Sequence, residues 1–305
     1  MIIPALRLIK SSFPNAEITL ITNSDVSELS TVFKLADNII SYDFPWTGKK
    51  GKMNYQKVWE LTKKLKREKF DLGVDFKGDF RNLIFLWQIC SKYRLGFDGT
   101  GGSYLLTHSF PFPFKLHQCD RAVQLLRLFG LKQKIDKSPI NIASNIIDKK
   151  DFIVLHPGAN HRERQWSVKN WLKLVNSLNH THEIAFVKTD ESIRLISMIL
   201  GYFPDIFVFS GSLTKFSKWL QNQKMLIGMD SMAVHLAGVL GIPSLAIFGK
   251  QNPDLTSPKY NNSTFIAPDK PCSHMVDHWR LCRHCTNSVK PETVFKKIKS
   301  MQIQG

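Results

Sequence analysis

Acidic side chains are scarce in this sequence: 25 Asp/Glu face 42 Lys/Arg, leaving a formal charge of +17. Cysteine occurs only five times in 305 residues. An odd count in a chain of this length argues against the disulfide framework of small secreted domains. Long hydrophobic runs are missing as well. The longest apolar candidate, NLIFLWQIC, is about half of the roughly 20 residues that a bilayer-spanning helix needs. The opening residues show no basic leader, apolar run and small-residue cleavage site in succession, so the expectation is a cytosolic protein without a secretory signal. Internal repeats and low-complexity segments are also absent.

The positive charge is spread over the whole chain. Residues 1–150 carry 24 Lys/Arg against 14 Asp/Glu, and the remainder 18 against 11. Such a field favours an anionic partner: nucleic acid, an acidic membrane surface or a phosphorylated ligand. No nucleic-acid motif accompanies the charge, so nucleic acid is not the expected partner. Short apolar runs (EITLIT, NIISYD, FDLGVDF, YRLGF) alternate with helical stretches up to KQKIDKSPINIASNIIDKK, a polar, Pro-containing linker. A second alternating series follows, from DFIVLHPG through EIAFVK, IFVFSG, KMLIGMD and IPSLAIFG to the helix PETVFKKIKSMQ. This order implies an α/β protein with mainly parallel sheets. The expected division is one Rossmann-like domain over residues 1–140 and a second over 151–305.

The chain opens inside a helix. Ile2, Ile3, Leu6, Ile9 and Phe13 repeat at helical spacing, and no Ser, Thr, Asp or Asn caps the start. Pro14-Asn15 stops the helix, and a strand follows at Ile18–Thr22. A helix leading into a strand in this way is the second half of a βαβ unit.

Two stretches could carry chemistry. In LIGMDSMAVHLAGVLGIPSLAIFG, an apolar strand ends at Asp230 and a helix begins at Ser231, with His235 one turn deeper on the same face. The free N–H groups and positive dipole end of a first helical turn suit a phosphate. The plain alternative is that Asp230 and Ser231 merely cap the helix and His235 is a core histidine. In LHPGANHRERQWSVKNW, a strand runs into Pro157-Gly158 and a loop carrying Arg162 and Arg164. Gly158 would let a backbone approach a ligand, and the arginines suit phosphate oxygens.

Together the two stretches resemble glycosyltransferase family 9, the heptosyltransferases of lipopolysaccharide core assembly. The resemblance rests on strand–HPGA–basic residue–x–Trp followed by Asp-Ser-x-x-x-His-Leu-Ala. FDLGVDFKGDFRN, YRLGFDG, HQCDRAVQLLRLFGL and VKPETV are similar to further family segments in the same order. The resemblance implies a GT-B fold, two Rossmann-like domains facing a cleft, with the sugar nucleotide held by the C-terminal domain and the acceptor by the N-terminal one. It implies inverting transfer without a metal or other cofactor, with ADP-heptose the expected donor and the lipid A–core oligosaccharide the acceptor. By position, Arg164 takes the family's phosphate-contacting basic place, usually Lys, and Asn160 falls in its phosphate loop. Asp230, Ser231 and His235 fall on the nucleotide-sugar motif, and Glu191, with neighbouring Asp190 as an alternative, on a ribose-binding acid. Met232 departs from the Gly often found after the Asp-Ser/Thr pair.

Family members begin with a strand and a Gly-Asp turn whose Asp is the general base, followed by a helix with a Pro-Ala pair. Pro4-Ala5 matches that pair, so the resemblance puts the base upstream of Met1. Either the true start lies upstream, which is the favoured reading, or this form is catalytically impaired. A silent relative that binds a sugar nucleotide or partner without turnover is the alternative function. Asp75 and Asp79 lie where a base could sit, but read first as a turn Asp and a helix N-cap.

The segment KKGKMNYQKVWELTKKLKREK holds nine Lys/Arg and two Glu around an apolar stripe of Val58, Leu61 and Leu65. It reads as a solvated amphipathic helix whose cationic face suits an acidic lipid surface. The resemblance makes a phosphorylated lipid acceptor at the inner leaflet the natural partner, so the location it implies is the cytoplasmic face of the inner membrane, bound peripherally. PCSHMVDHWRLCRHC holds Cys272, Cys282 and Cys285 beside His274, His278 and His284. Its Cys-x-x-Cys pair could bind zinc, but a second such pair is missing, and no metal is expected. Cys90 and Cys119 read as core residues.

Overall fold

The structure is a computed structural model that describes residues 1–47, 55–142, 151–274 and 281–303. Contacts divide the chain into two compact units, Met1–Lys137 and Ser138–Gly305. The division falls inside the expected linker but ahead of residue 140, because the chain docks early on the second unit. Ile140 N–H donates to Val239 O at 2.9 Å, and the Gln221 side chain both accepts from Ile142 N–H and donates to Ile142 O.

In the first unit the helices are α1 (Ile3–Ser12), α2 (Ser24–Val32), α3 (Tyr55–Arg67), α4 (Phe80–Ile89) and α5 (Gln118–Leu128), and the strands β1 (Thr19–Thr22), β2 (Asn38–Ser41), β3 (Leu72–Asp75), β4 (Tyr93–Asp98) and β5 (His108–Pro111). The second unit contains β6 (Ile153–His156), α6 (Val168–Leu178), β7 (Ile184–Val187), α7 (Ile193–Leu200), β8 (Phe207–Phe209), α8 (Leu213–Leu220), β9 (Met225–Met229), α9 (Met232–Val239), β10 (Ser244–Ile247), α10 (Pro253–Thr256), β11 (Ser263–Ile266), α11 (Arg283–Ser288) and α12 (Pro291–Ile303).

The second unit is a six-stranded sheet in the order β11-β10-β9-β6-β7-β8, and every pairing is parallel. Strands β6, β7, β9 and β10 are buried along their whole length, as their unbroken apolar runs require when helices cover both faces. Helix α6 shows how the local sequence meets that sheet. Ser167 Oγ accepts from Asn170 N–H at its N-cap, and Trp171, Leu174, Val175 and Leu178 recur at helical spacing to form one buried face. Trp166 and Trp171 meet edge to face, with centroids 5.3 Å apart, in a core shared with Ile153, Phe186, Ile227, Leu245 and Ile298.

Chain order runs outward in both directions from the β6/β9 boundary: β6 to β8 on one side, β9 to β11 on the other. That boundary is a topological switch point, where adjacent loops diverge and leave a crevice at the carboxyl ends of the strands.

The first unit follows the same plan with its middle open. Its strands form two separate parallel sheets, β1-β2 and β3-β4-β5. Between them lies a hollow of about 1940 Å³ walled by Thr19–Ile21 of β1, Leu72–Asp75 of β3 and residues of α1 and α4. Helix α1 covers the core through Ala5 and Leu8, which pack with Leu95, Phe97, Leu125 and Leu126. Its N-cap, Ile2, makes no side-chain capping bond, as the sequence implies.

Two strands differ from the sequence reading. Strand β5, which is not among the apolar runs of the sequence, is a four-residue edge strand ending at Pro111, and β11, likewise not among them, is an edge strand with only partial burial. Short edge strands need neither continuous apolar runs nor a full set of N–H donors, so the periodicity that marks central strands is missing. On α3 the buried positions are Val58, Thr62 and Leu65. Thr62 takes a core place because its hydroxyl donates to Val58 O within the helix at 2.7 Å.

Candidate functional site

Strands β6 and β9 pair with His156 opposite Gly228, so the loops that follow them leave the sheet side by side. The β6 loop carries Asn160 and a short 3-10 turn, Arg162–Arg164. The β9 turn carries Asp230 and Ser231 into α9. Sequence positions about 65 residues apart thereby meet. Arg164 Nη1 lies 3.6 Å from Asp230 Oδ2, with the Arg164 side chain 31% exposed and that of Asp230 10% exposed. This is an ion pair longer than a hydrogen bond, and both groups keep capacity for another partner.

Ser231 is the N-cap of α9 by position, yet its side chain accepts no capping bond. Its Oγ and the Nε of Arg164 are buried and make no hydrogen bond among the described residues. The capping reading of Ser231 therefore does not describe its side chain. Two buried polar atoms without partners among the described residues, at a helix N-terminus, form a donor-rich group suited to an anion. His235 is half-buried one turn into α9. Burial raises the Asp230 carboxyl above its ordinary range, and the Arg164 guanidinium pulls it part of the way back.

Asn160 and Glu191 are exposed. Glu191 follows β7, the next strand along, and Gln165 ties the two loops together by donating to Ala159 O at 3.1 Å and Glu191 O at 3.5 Å. At Gly158 a β-carbon would overlap Thr189 Oγ1 of the β7 loop, so its missing side chain lets the two loops pack together. His156, at the end of β6, is buried, and burial holds its pKa down to about 4. It is a neutral imidazole at neutral pH.

Sequence reasoning missed the residues that fix the Arg164 loop from behind. Thr286 of α11 donates from Oγ1 to Glu163 O at 2.8 Å, and Asn287 Oδ1 accepts from Ser167 N–H at 2.8 Å. Trp166 Nε1 donates to Val289 O at 3.0 Å. Small polar residues 120 positions downstream give no local signal, because only the tertiary fold brings them under the loop.

In the first unit, Asp75 and Asp79 hold the structural places. Asp75 accepts from Gly78 N–H at 2.6 Å and from Asn82 Nδ2 at 3.0 Å, and burial raises its pKa. Asp79 is the N-cap of α4, accepting from Arg81 N–H. The cationic face of α3 exposes Lys57, Lys63, Lys64, Lys66 and Arg67 together with Tyr55 and Trp59. Lys63 Nζ sits 3.3 Å from the Trp59 ring centroid.

A parallel, doubly wound sheet whose switch point gathers a guanidinium and a helix N-terminus is an arrangement suited to an anion such as a phosphate. The family model of glycosyltransferase family 9 (heptosyltransferase) matches residues 58–284, and the chain belongs to that family of transferases. It is 23% identical to the lipopolysaccharide core heptosyltransferase OpsX of Haemophilus influenzae over 274 residues, covering 83% of this chain and 76% of that protein. It is 24% identical over 316 aligned positions to a lipooligosaccharide heptosyltransferase 2 of Campylobacter jejuni, covering 98% of this chain and 93% of the relative. Among solved structures it shares the fold of E. coli ADP-heptose lipopolysaccharide heptosyltransferase II, with TM-score 0.80 at 14% identity over 99% of this chain and 94% of that one. E. coli heptosyltransferase WaaC with ADP gives TM-score 0.79 at 14% identity over 98% and 94%. The α/β, GT-B-type fold implied by the sequence is thus the observed one.

Proposed function

We propose that the chain transfers a heptose from ADP-heptose to the core of lipopolysaccharide or lipooligosaccharide, with inversion and with no metal at the reacting centre. The observation that carries the donor side is the convergence of Arg164, Asp230 and Ser231 at the switch point, with Ser231 Oγ and Arg164 Nε lacking partners among the described residues. The diphosphate would lie on the α9 N-terminus and accept from Ser231 Oγ and the Arg164 guanidinium. Charge-assisted bonds of this kind are worth about 1.5–3 kcal/mol each. Asp230 orients Arg164, Asn160 lines the phosphate loop, and His235 lies one turn below. Glu191, the exposed acid at the next strand end, would take the ribose hydroxyls. In the transfer, an acceptor hydroxyl oxygen forms a bond to the anomeric carbon as the bond to the β-phosphate oxygen breaks. Arg164 and the helix terminus stabilise the charge gathering on the departing ADP.

The acceptor proton goes to a general base, which the family pattern puts on a Gly-Asp turn after a parallel strand. Among the described residues, β1 and β3 each present an edge without a strand partner to the hollow between them, where such a strand would sit. A parallel strand seated there would complete the order that β6 completes in the second unit. Asp75 and Asp79, committed to turn and cap, are not assigned as the base. The cationic face of α3 supports peripheral attachment to anionic lipid on the cytoplasmic side, where each Lys or Arg near the surface adds about 1 kcal/mol.

The test is transfer of heptose to a heptose-deficient core acceptor, followed by mass and by the anomeric configuration of the product. It compares this chain with a form carrying a strand and Gly-Asp turn before Met1. Transfer with inversion, dependent on the added Asp, is the expected result. Donor binding without transfer in both forms would favour the silent, binding-only reading.

A further inference from the structure

Along the sequence, PCSHMVDHWRLCRHC holds one Cys-x-x-Cys pair and no second. The fold supplies the missing ligands. Cys272 and His274 meet Cys282 and Cys285 so that one ligand atom from each lies within 4.8 Å of every other. Cys285 Sγ is 3.9 Å from His274 Nδ1. Cys282 and Cys285 are buried, Cys272 is half-buried, and His274 lies at the open side. His278 lies outside the described residues. His284 stacks on His274 with ring centroids 5.1 Å apart.

We propose that Cys272, His274, Cys282 and Cys285 form a tetrahedral structural metal site of the zinc class. Three sulfurs and one imidazole nitrogen are a closed donor set for Zn²⁺ and contain no carboxylate to favour a hard cation. With Zn–S near 2.3 Å and Zn–N near 2.0 Å, tetrahedral ligand atoms stand roughly 3.5–3.8 Å apart, so the ion draws this group together by about 1.3 Å at most. A thiol cluster packed only as small hydrophobes would not need an exposed histidine among its members.

The site has a consequence for the loop bearing Arg164. Helix α11 follows directly from Cys282 and contains Cys285, and its Thr286 and Asn287 hold Glu163 O and Ser167 N–H. The metal anchors the helix that braces the loop, without touching the donor. This second step rests on the donor site proposed above; the metal site does not.

The experiment is elemental analysis of the full chain purified without chelator. It is paired with Co²⁺ replacement to read thiolate-to-cobalt charge transfer and tetrahedral d–d absorption. About one equivalent of zinc is expected, falling below about 0.1 in Cys282→Ser/Cys285→Ser and unchanged in Cys90→Ser. Cys272→Ser and His274→Ala, at the periphery, keep the test decisive if the double variant fails to fold: each should alter the cobalt spectrum. A metal-free chain, a Cys282–Cys285 disulfide, or a cobalt spectrum indifferent to Cys272 and His274 would overturn the site. Stoichiometric zinc with ADP affinity unchanged on its removal would leave the site standing and overturn its bracing of the Arg164 loop.

Discussion

His156 makes the second unit acid-sensitive in a way that one substitution isolates. The imidazole is buried at the end of β6, and burial lowers its pKa from 6.5 to about 4. Below pH 6.5 the unfolded chain takes up a proton that the folded chain refuses, so acid favours unfolding. The stability at stake is fully present above pH 6.5 and is lost as the pH falls through about 4. Each tenfold change in proton affinity is worth about 1.4 kcal/mol, so the loss by pH 4 is roughly 3 kcal/mol. His156→Gln removes the titration while keeping a polar side chain, and other acid effects are common to both proteins. The assay is urea unfolding at pH 7, 5 and 4, followed by hydrogen-exchange mass spectrometry on peptides from β6 and β9, so that the two units are not confounded. Relative to His156→Gln, the wild type should lose about 3 kcal/mol between pH 7 and 4. A difference constant across that range would refute the reasoning, because it would mean the folded state accommodates the imidazolium as readily as the unfolded chain.

Three further outcomes follow from the site geometry. Ser231→Ala should leave urea stability within about 0.5 kcal/mol, since no capping bond is lost, but weaken ADP binding measured by calorimetry; a loss of about 1 kcal/mol in stability with unchanged binding would restore the capping reading. Gly158→Ala should cost about 1–3 kcal/mol by forcing the β6 and β7 loops apart, and Thr189→Ala should recover part of that in the double variant; simple additivity in the unfolding data would contradict the contact. Removing the cationic charges of α3 (Lys57, Lys63, Lys64 and Lys66 to Gln) should reduce sedimentation with anionic vesicles in a salt-dependent manner and leave neutral vesicles unaffected.

The legible parts of the sequence were those that local physics specifies. Central strands such as β6 and β9 are buried on both faces and must be continuous apolar runs, so Ile153–His156 and Met225–Met229 stand out. Helix α6 announces itself through Ser167 and the spacing of Trp171, Leu174, Val175 and Leu178. Edge strands β5 and β11 do not, because they bury only part of one face. The site was legible where it lies on strand ends, as with Arg164, Asp230 and Ser231. It was not legible where its support comes from afar: the packing of Thr189 against Gly158, or of Thr286 and Asn287 under the loop, exists only once the sheet has formed. The cysteines show the same limit. Ligand spacing along the chain was read as insufficient, and the fold joined Cys272 and His274 to the pair.

The central claim is that the switch point between β6 and β9 holds a nucleotide-diphosphate sugar through Arg164. Calorimetric titration of the chain and of Arg164→Ala with ADP-heptose, with ADP as competitor, tests it most directly. Saturable binding displaced by ADP is expected, weakened roughly 10- to 100-fold by Arg164→Ala and partly restored by Arg164→Lys, with the fold unchanged by circular dichroism. Equal affinity in the wild type and Arg164→Ala, or no binding of ADP-heptose to the folded wild-type chain, would contradict it.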